Sequence, residues 1–86
     1  MAATLIEVFK IATCEYDGEG IGEIVGYKSI DGDITDEPEL IQYYSSRKSA
    51  GEDVDNDDAE ELGYIEVIES EFIDFNDLIN INIKGG

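Results

Sequence analysis

The stretch TLIEVFKIATCEY-DGEG, which spans residues 4–16 and then 17–20, decides the fold. Thr, Ile and Val are frequent in it, which favours a β-strand, and its even positions form a mostly apolar face. A helix stays open as an alternative, because Leu5, Val8 and Phe9 also share a helical face. Asp-Gly between two apolar runs is typical of a hairpin turn, since glycine accepts a positive φ without a clash. Residues 21–30 are therefore predicted to form a second strand, bent at its glycines.

A second turn at 31–33 precedes the clearest helix signal, which predicts a helix over 37–49. Asp36 is a suitable N-cap, and Pro38 lies in the tolerant first turn. Leu40, Tyr43 and Tyr44 would share one face of this helix. A basic pair and then a glycine follow, which is typical of a helix end.

Seven of the ten residues 52–61 are acidic, and we interpret this run as a polar connector whose second half, from Asp57, can begin a short helical turn. Residues 62–75 are apolar and β-branched, 76–77 indicate a turn, and alternating Ile and Asn over 79–83 predict a last strand. The fold class predicted is α+β: a single domain over 1–86 with an antiparallel-rich sheet of about four strands and one packed helix. The predicted order is strand-strand-helix-strand-strand.

The charge of the chain indicates the kind of partner. Twenty-two Asp and Glu against five Lys and Arg give a formal net charge of −17, while a hydrophobic fraction of 42% still permits folding. A sphere of this chain length is about 30 Å across, and duplex DNA carries one charge per about 1.7 Å. The protein is therefore expected to carry about as much charge as DNA of its own length. We expect a basic, nucleic-acid-binding host protein as partner, and neither direct nucleic-acid binding nor membrane binding.

The carboxylates predicted to bind the partner form two groups that flank the predicted helix. They share a position in polar connecting segments, and acids at alternate positions of such a segment lie about 6.8 Å apart on one side. The predicted partner-binding residues are Asp31, Asp33, Asp36, Glu37, Glu52, Asp53, Asp55, Asp57, Asp58, Glu60 and Glu61.

Residues suited to catalysis or to a dedicated metal site are not apparent, so we expect no enzyme, no cofactor and no metal. The chain has no His, the usual general base near neutral pH. Its one cysteine, Cys14, is expected to be a buried, inert thiol. Residues 53–57 resemble the start of a calcium loop, but Asp58 and Tyr64 stand where Gly and Glu are needed. With no signal peptide and no membrane span, a cytoplasmic location is expected, in the host cell if a phage encodes the chain.

In size, acidity and lack of catalytic residues, the chain resembles the small acidic inhibitors encoded by phages. These include anti-CRISPR, anti-restriction and DNA-glycosylase inhibitor proteins, several of which imitate DNA. The resemblance covers the whole chain, rests on composition and assigns no individual residue. It implies competitive blocking of a nucleic-acid-binding protein.

A second resemblance is local. The ending Lys84-Gly85-Gly86 is similar to the tail of ubiquitin-like modifiers and of sulfur carriers, whose β-grasp fold has the predicted element order. That resemblance implies adenylation of the Gly86 carboxylate and its conversion to a thioester or thiocarboxylate. A phage structural or assembly protein is a further alternative.

Overall fold

A computed structural model describes residues 4–85, which form an α+β domain built on one mixed sheet. Two short α-helices lie between the fourth and fifth strands, and 3-10 turns span Pro38–Leu40 and Phe75–Asn80. The strands and helices are β1 (Leu5–Tyr16), β2 (Ile21–Lys28), β3 (Ile34–Thr35), β4 (Gln42–Tyr44), α1 (Arg47–Asp53), α2 (Asn56–Glu61), β5 (Tyr64–Asp74) and β6 (Asn82–Lys84).

The first strand organises the sheet. One edge of β1 pairs with β5 along its length, from Leu5 opposite Asp74 to Glu15 opposite Tyr64. The other edge pairs with β2 and with β4, while β3 extends β2. These pairs are antiparallel, and β6 pairs with β4 in parallel. The strand prediction for 4–16 is thereby confirmed, and the long-range pairing explains why the helical alternative fails.

The predicted hairpin between β1 and β2 is also confirmed. Gly18 has φ +90°, the left-handed backbone that glycine tolerates. Register shifts between Thr13 and Cys14 and between Cys14 and Tyr16 interrupt the regular pairing of β1 with β2.

The core lies on both faces of the sheet, because successive side chains of a strand point to opposite sides. One cluster is covered by the turn before β6 and the other by α1. The first contains Val8, Ile41 and Tyr43, and the second contains Ile11, Tyr44 and Ala50.

The helix predicted over 37–49 is wrong. Its start survives only as the 3-10 turn Pro38–Leu40, where the cap position is Glu37 and no side-chain capping bond forms. A helix would place Tyr43 and Tyr44 on one face, whereas strand β4 buries Tyr43 in one cluster and Tyr44 in the other. Tertiary burial therefore overrides the local cap. The helix begins later, at Arg47, where the Ser46 hydroxyl accepts a hydrogen bond from Ser49 N at 3.1 Å.

The last strand predicted over 79–83 is also largely wrong, since β6 begins only at Asn82. The Asp74 carboxylate accepts a hydrogen bond from Asn76 N at 2.9 Å and starts a six-residue 3-10 turn. Leu78 and Ile81, three residues apart, then pack against the first core cluster. Ile79 consequently stands 88% exposed. The observed order thus replaces strand-strand-helix-strand-strand with six strands and two short helices in the described chain.

The overall shape is elongated, with extents of 47 × 22 × 20 Å. This corrects the expected sphere, because a strand of 12 residues such as β1 reaches about 40 Å at about 3.4 Å per residue. Spread along the long axis, 17 charges amount to one per about 2.8 Å. The linear charge density is therefore about three fifths that of duplex DNA.

Candidate functional site

The negative charge is concentrated in two segments of the chain. Residues 15–39 and 55–66, here called the acidic half, hold fifteen of the 22 acids and one of the five cations, which leaves −14 of the net −17 there. All of these acids except the half-buried Glu66 are exposed. The described remainder, residues 4–14, 40–54 and 67–85, is called the core half. It holds seven acids and four cations.

The fold brings the two segments of the acidic half together. Tyr16 N donates to Gly63 O at 2.9 Å, which ties the β1–β2 hairpin to the turn between α2 and β5. The two segments also share a groove of about 220 Å³, here called the helix groove, which is lined by residues of the turn between β2 and β3 and of α2. This groove is lined by Asp33 from the turn, Asp55 at the N-cap of α2 and Asp58 within α2. Carboxylates from both predicted groups therefore meet there.

The remaining predicted carboxylates do not line this groove. Asp31, Asp36 and Glu37 are exposed before and after β3, while Asp57, Glu60 and Glu61 are exposed on α2. Glu52 lies in α1, within the core half.

Asp53 has internal partners. Its Oδ2 accepts hydrogen bonds from Tyr44 Oη at 2.7 Å and Lys84 Nζ at 2.9 Å. The Tyr44 hydrogen bond, followed by that of Lys84, lowers the pKa of the Asp53 carboxyl. Burial and then this same hydrogen bond raise the pKa of Tyr44, so the phenol stays neutral and donates. Asp53 thus helps fix α1 against β4 and β6.

Asp55 and Asp58 form a close acidic pair at the start of α2. The Asp55 carboxylate caps the helix by accepting from Asp58 N at 3.2 Å. Hydrogen bonding to the Asp55 carboxyl, and then the charge of Asp55, raise the pKa of Asp58. Two carboxyl groups are therefore held close together at the N-terminus of α2.

Asn56 and Glu66 attach α2 to β5. Asn56 Oδ1 accepts from Glu66 N at 2.7 Å, and Asp55 N donates to Glu66 Oε1 at 2.7 Å. The Glu66 carboxylate also pairs with Lys28 Nζ at 3.4 Å, and Lys28 donates to Asp53 O at 2.6 Å. The one cation of the acidic half is thus engaged in holding α2 in place.

A second groove lies beside the turn of the β1–β2 hairpin and is here called the hairpin groove. Leu62 and Tyr64 line both grooves. The hairpin groove is open, has a volume of about 560 Å³ and is lined by aromatic, aliphatic, glycine and acidic residues. Its aromatic and aliphatic lining consists of Tyr16, Ile21, Leu62 and Tyr64, and its carboxylates are Glu15 and Asp17. Sequence reasoning missed this groove. A usable signal was Gly63 directly after Leu62, which is typical of a helix end and would have placed Leu62 at a turn.

The buried thiol is as expected in position. Cys14 is 4% exposed, and burial followed by the charge of Glu69 raises its pKa.

Lys10 pairs with Glu71 at 3.0 Å and lies 4.3 Å from the centre of the Tyr27 ring. Within residues 4–85, no group of three or more His, Cys, Asp or Glu side chains is placed to hold a metal ion.

No helix in the described part of the chain combines the length and apolar character needed to cross a membrane.

Comparisons with protein-family models, with curated proteins and with solved structures find no match to this chain.

Of the two C-terminal glycines, Gly85 lies among the described residues. A side chain at Gly85 would collide with Ser49 in the first turns of α1, so Gly85 packs closely on the domain. Gly86, the residue on which a carrier would act, lies outside the described residues. Because the helix over 37–49 is absent, the chain also lacks the element order that suggested the β-grasp fold.

Proposed function

We propose that this chain is a non-enzymatic acidic binding protein that occludes the basic nucleic-acid-binding surface of a host protein. It would act as a DNA-mimic inhibitor of the kind carried by phages or mobile elements. The observation that carries this proposal is the concentration of −14 of the net charge in the acidic half.

The placement of the acids supports electrostatic recognition over simple solubility. A net charge of magnitude about 2–8 suffices to keep a small domain soluble, and the acidic half alone exceeds it. Exposed carboxylates on α2 and on the turns around β3 face solvent without cationic neighbours among the described contacts, since Lys28 is engaged by Glu66. A basic groove would be attracted to this surface, and the attraction would weaken with salt.

The elongated body adds a geometric argument. A groove that holds nucleic acid is long and narrow, and a domain of 47 × 22 × 20 Å can lie along it. The charge density of one per about 2.8 Å is lower than that of a duplex, so shape and local contacts must supply part of the affinity.

The test begins with capture. The tagged chain is immobilised and exposed to host-cell lysate at low salt, and the proteins released by rising salt are identified. We expect a basic nucleic-acid-binding protein, released in addition by duplex DNA or RNA. With that protein purified, the chain should compete with its nucleic acid for binding.

A matched pair of variants separates position from total charge. Asp57→Lys with Glu60→Lys reverses two exposed charges of α2, whereas Glu7→Lys with Asp77→Lys reverses two in the core half. Both pairs change the net charge from −17 to −13. We expect the first pair to lose at least about tenfold in affinity and the second less than about threefold. Equal losses, or a captured protein that keeps its nucleic acid in the presence of the chain, would contradict the proposal.

A further inference from the structure

We infer that the hairpin groove anchors one large apolar side chain from a basic segment of the partner protein. This inference rests on the proposed function and names the contact that holds the partner once charge has attracted it. The walls come from the end of β1, the start of β2 and the turn between α2 and β5.

The groove is built from the backbone. The hydrogen bond of 2.9 Å from Tyr16 N to Gly63 O fixes its two sides relative to each other. Gly20, Gly22 and Gly63 line it and carry no side chain to fill it. Gly63 has φ +87°, which favours glycine at this turn. The groove has a volume of about 560 Å³, which is large enough to receive a leucine or phenylalanine side chain.

Two aliphatic side chains of the lining are exposed to solvent. Leu62 is 74% exposed and Ile21 is 57% exposed, while Tyr16 and Tyr64 are half-buried beside them. Single exposed aliphatic residues are ordinary, but an apolar patch with a polar rim is typical of a protein contact site. Burial by a partner would remove this apolar surface from water.

The charges around the patch select the occupant. Glu15 and Asp17 line the groove, and no Lys or Arg is among the lining residues that the structure describes. The amides of Glu19 and Gly20 donate to Asp17 at 2.9 and 3.1 Å, which holds that carboxylate in place on the rim. An anionic ligand and a second copy of this acidic chain would both be repelled. A polypeptide segment with Lys or Arg around one apolar residue matches both the carboxylates and the exposed aliphatic side chains of the lining.

The expected contribution is measurable. Burial of one leucine-sized side chain corresponds to about tenfold or more in Kd. Electrostatic attraction by the rim should add a salt-dependent term that does not depend on the apolar residue. The two contributions can therefore be separated with peptides of equal charge.

The experiment uses two synthetic peptides that carry identical Lys and Arg residues around a central residue, which is Leu in one peptide and Ser in the other. Their Kd values are measured for the full chain and for Leu62→Ala at several salt concentrations. Ile79→Ala is the matched control, because Ile79 is 88% exposed but lies in the core half. The wild type should bind the Leu peptide about tenfold more tightly than the Ser peptide. Leu62→Ala should remove this preference and keep the salt-dependent binding, and Ile79→Ala should behave as the wild type.

The outcomes distinguish this inference from the proposed function. Equal, salt-dependent binding of both peptides by the wild type would overturn the groove and leave the acidic half intact. No salt-dependent binding of either peptide would count against both. Self-association of the wild type that Leu62→Ala abolishes would identify a second copy as the occupant and overturn the basic segment. Chemical-shift changes at the Ile21 and Gly63 amides with the Leu peptide would support the anchor.

Discussion

The acidic half and the core half divide charge and burial between them. The acidic half carries −14 of the net −17. Of the nine hydrophobic residues buried among those described, eight belong to the core half, and Ala59 is the exception. A small acidic domain limits the cost of self-repulsion when its packed residues and its charges lie in different segments. It follows that the charge of the acidic half can be changed with little effect on the packing of the core.

The largest effect should come from the core half. Ile11 is fully buried against Tyr44 and Ala50, so Ile11→Ala should lower the free energy of unfolding by about 3 kcal/mol. Leu62→Ala in the acidic half should change it by less than about 0.5 kcal/mol. Urea unfolding at neutral pH measures both.

If Ile11→Ala does not fold, Ile11→Val provides the same test with an expected loss of about 1 kcal/mol. Comparable losses from the Ile11 and Leu62 variants would remove the distinction between the two halves.

An intermediate effect on the free energy of unfolding is expected at Asp53, whose carboxylate accepts hydrogen bonds within the core half. Asp53→Asn weakens the hydrogen bonds from Tyr44 and Lys84 and should cost about 1–2 kcal/mol at pH 7. Because the folded pKa of Asp53 is lowered, its contribution is present above the unfolded value of about 3.9 and is lost as pH falls through the folded pKa. The difference between wild type and variant in chemical unfolding should therefore shrink below about pH 4. A difference that is constant from pH 7 to pH 3 would contradict this role, and Asp36→Asn serves as the exposed control.

The smallest effect on stability is expected at Asp58, where substitution should stabilise the folded protein, in contrast to substitution at Asp53. The folded pKa of Asp58 is raised by Asp55, so its charged form destabilises the folded protein above that pKa, and the effect disappears as pH falls below it. Asp58→Asn should slightly raise the Tm at pH 7 in low salt. High salt or acidic pH should remove the gain. A lowered Tm at pH 7 would show that Asp58 is stabilising and that repulsion in α2 is negligible.

The sequence predicts the elements whose signals are local or strongly repeated. The hairpin after Tyr16 follows from its Asp-Gly turn, and β5 follows from a long β-branched run. The α+β class is confirmed, although the helices lie at 47–53 and 56–61 and the helix predicted over 37–49 is wrong. The burial of Cys14 follows from its place on the apolar face of β1.

Elements whose conformation is decided by contacts with distant parts of the chain are not predicted by local sequence patterns. The segment at 41–44 carries a plausible helix pattern, but β1 offers an open edge at Phe9 and Lys10 that only a strand can pair with. The isoleucines at 79–83 alternate as in a strand, yet the cap at Asp74 and the cluster around Val8 favour a 3-10 turn. These choices are decided by contacts between distant residues.

The candidate site shows the same limit. Nine of the eleven predicted carboxylates fall in the acidic half, because the acidic runs are visible in the sequence itself. That Asp33 should face Asp55 and Asp58 depends on how β2 and β3 curl toward α2, which no local pattern indicates. The hairpin groove depends in the same way on a backbone contact between Tyr16 and Gly63.

The central claim is that negative potential is concentrated on one half of the molecule, and NMR can measure this without any partner. Paramagnetic relaxation enhancement of exposed amides is recorded with a cationic and with an anionic soluble nitroxide of equal size. We expect the ratio of cationic to anionic enhancement to be clearly higher for amides of residues 15–39 and 55–66 than for exposed amides near Arg47, Ile79 and Lys84. The same ratio in both halves would contradict the account.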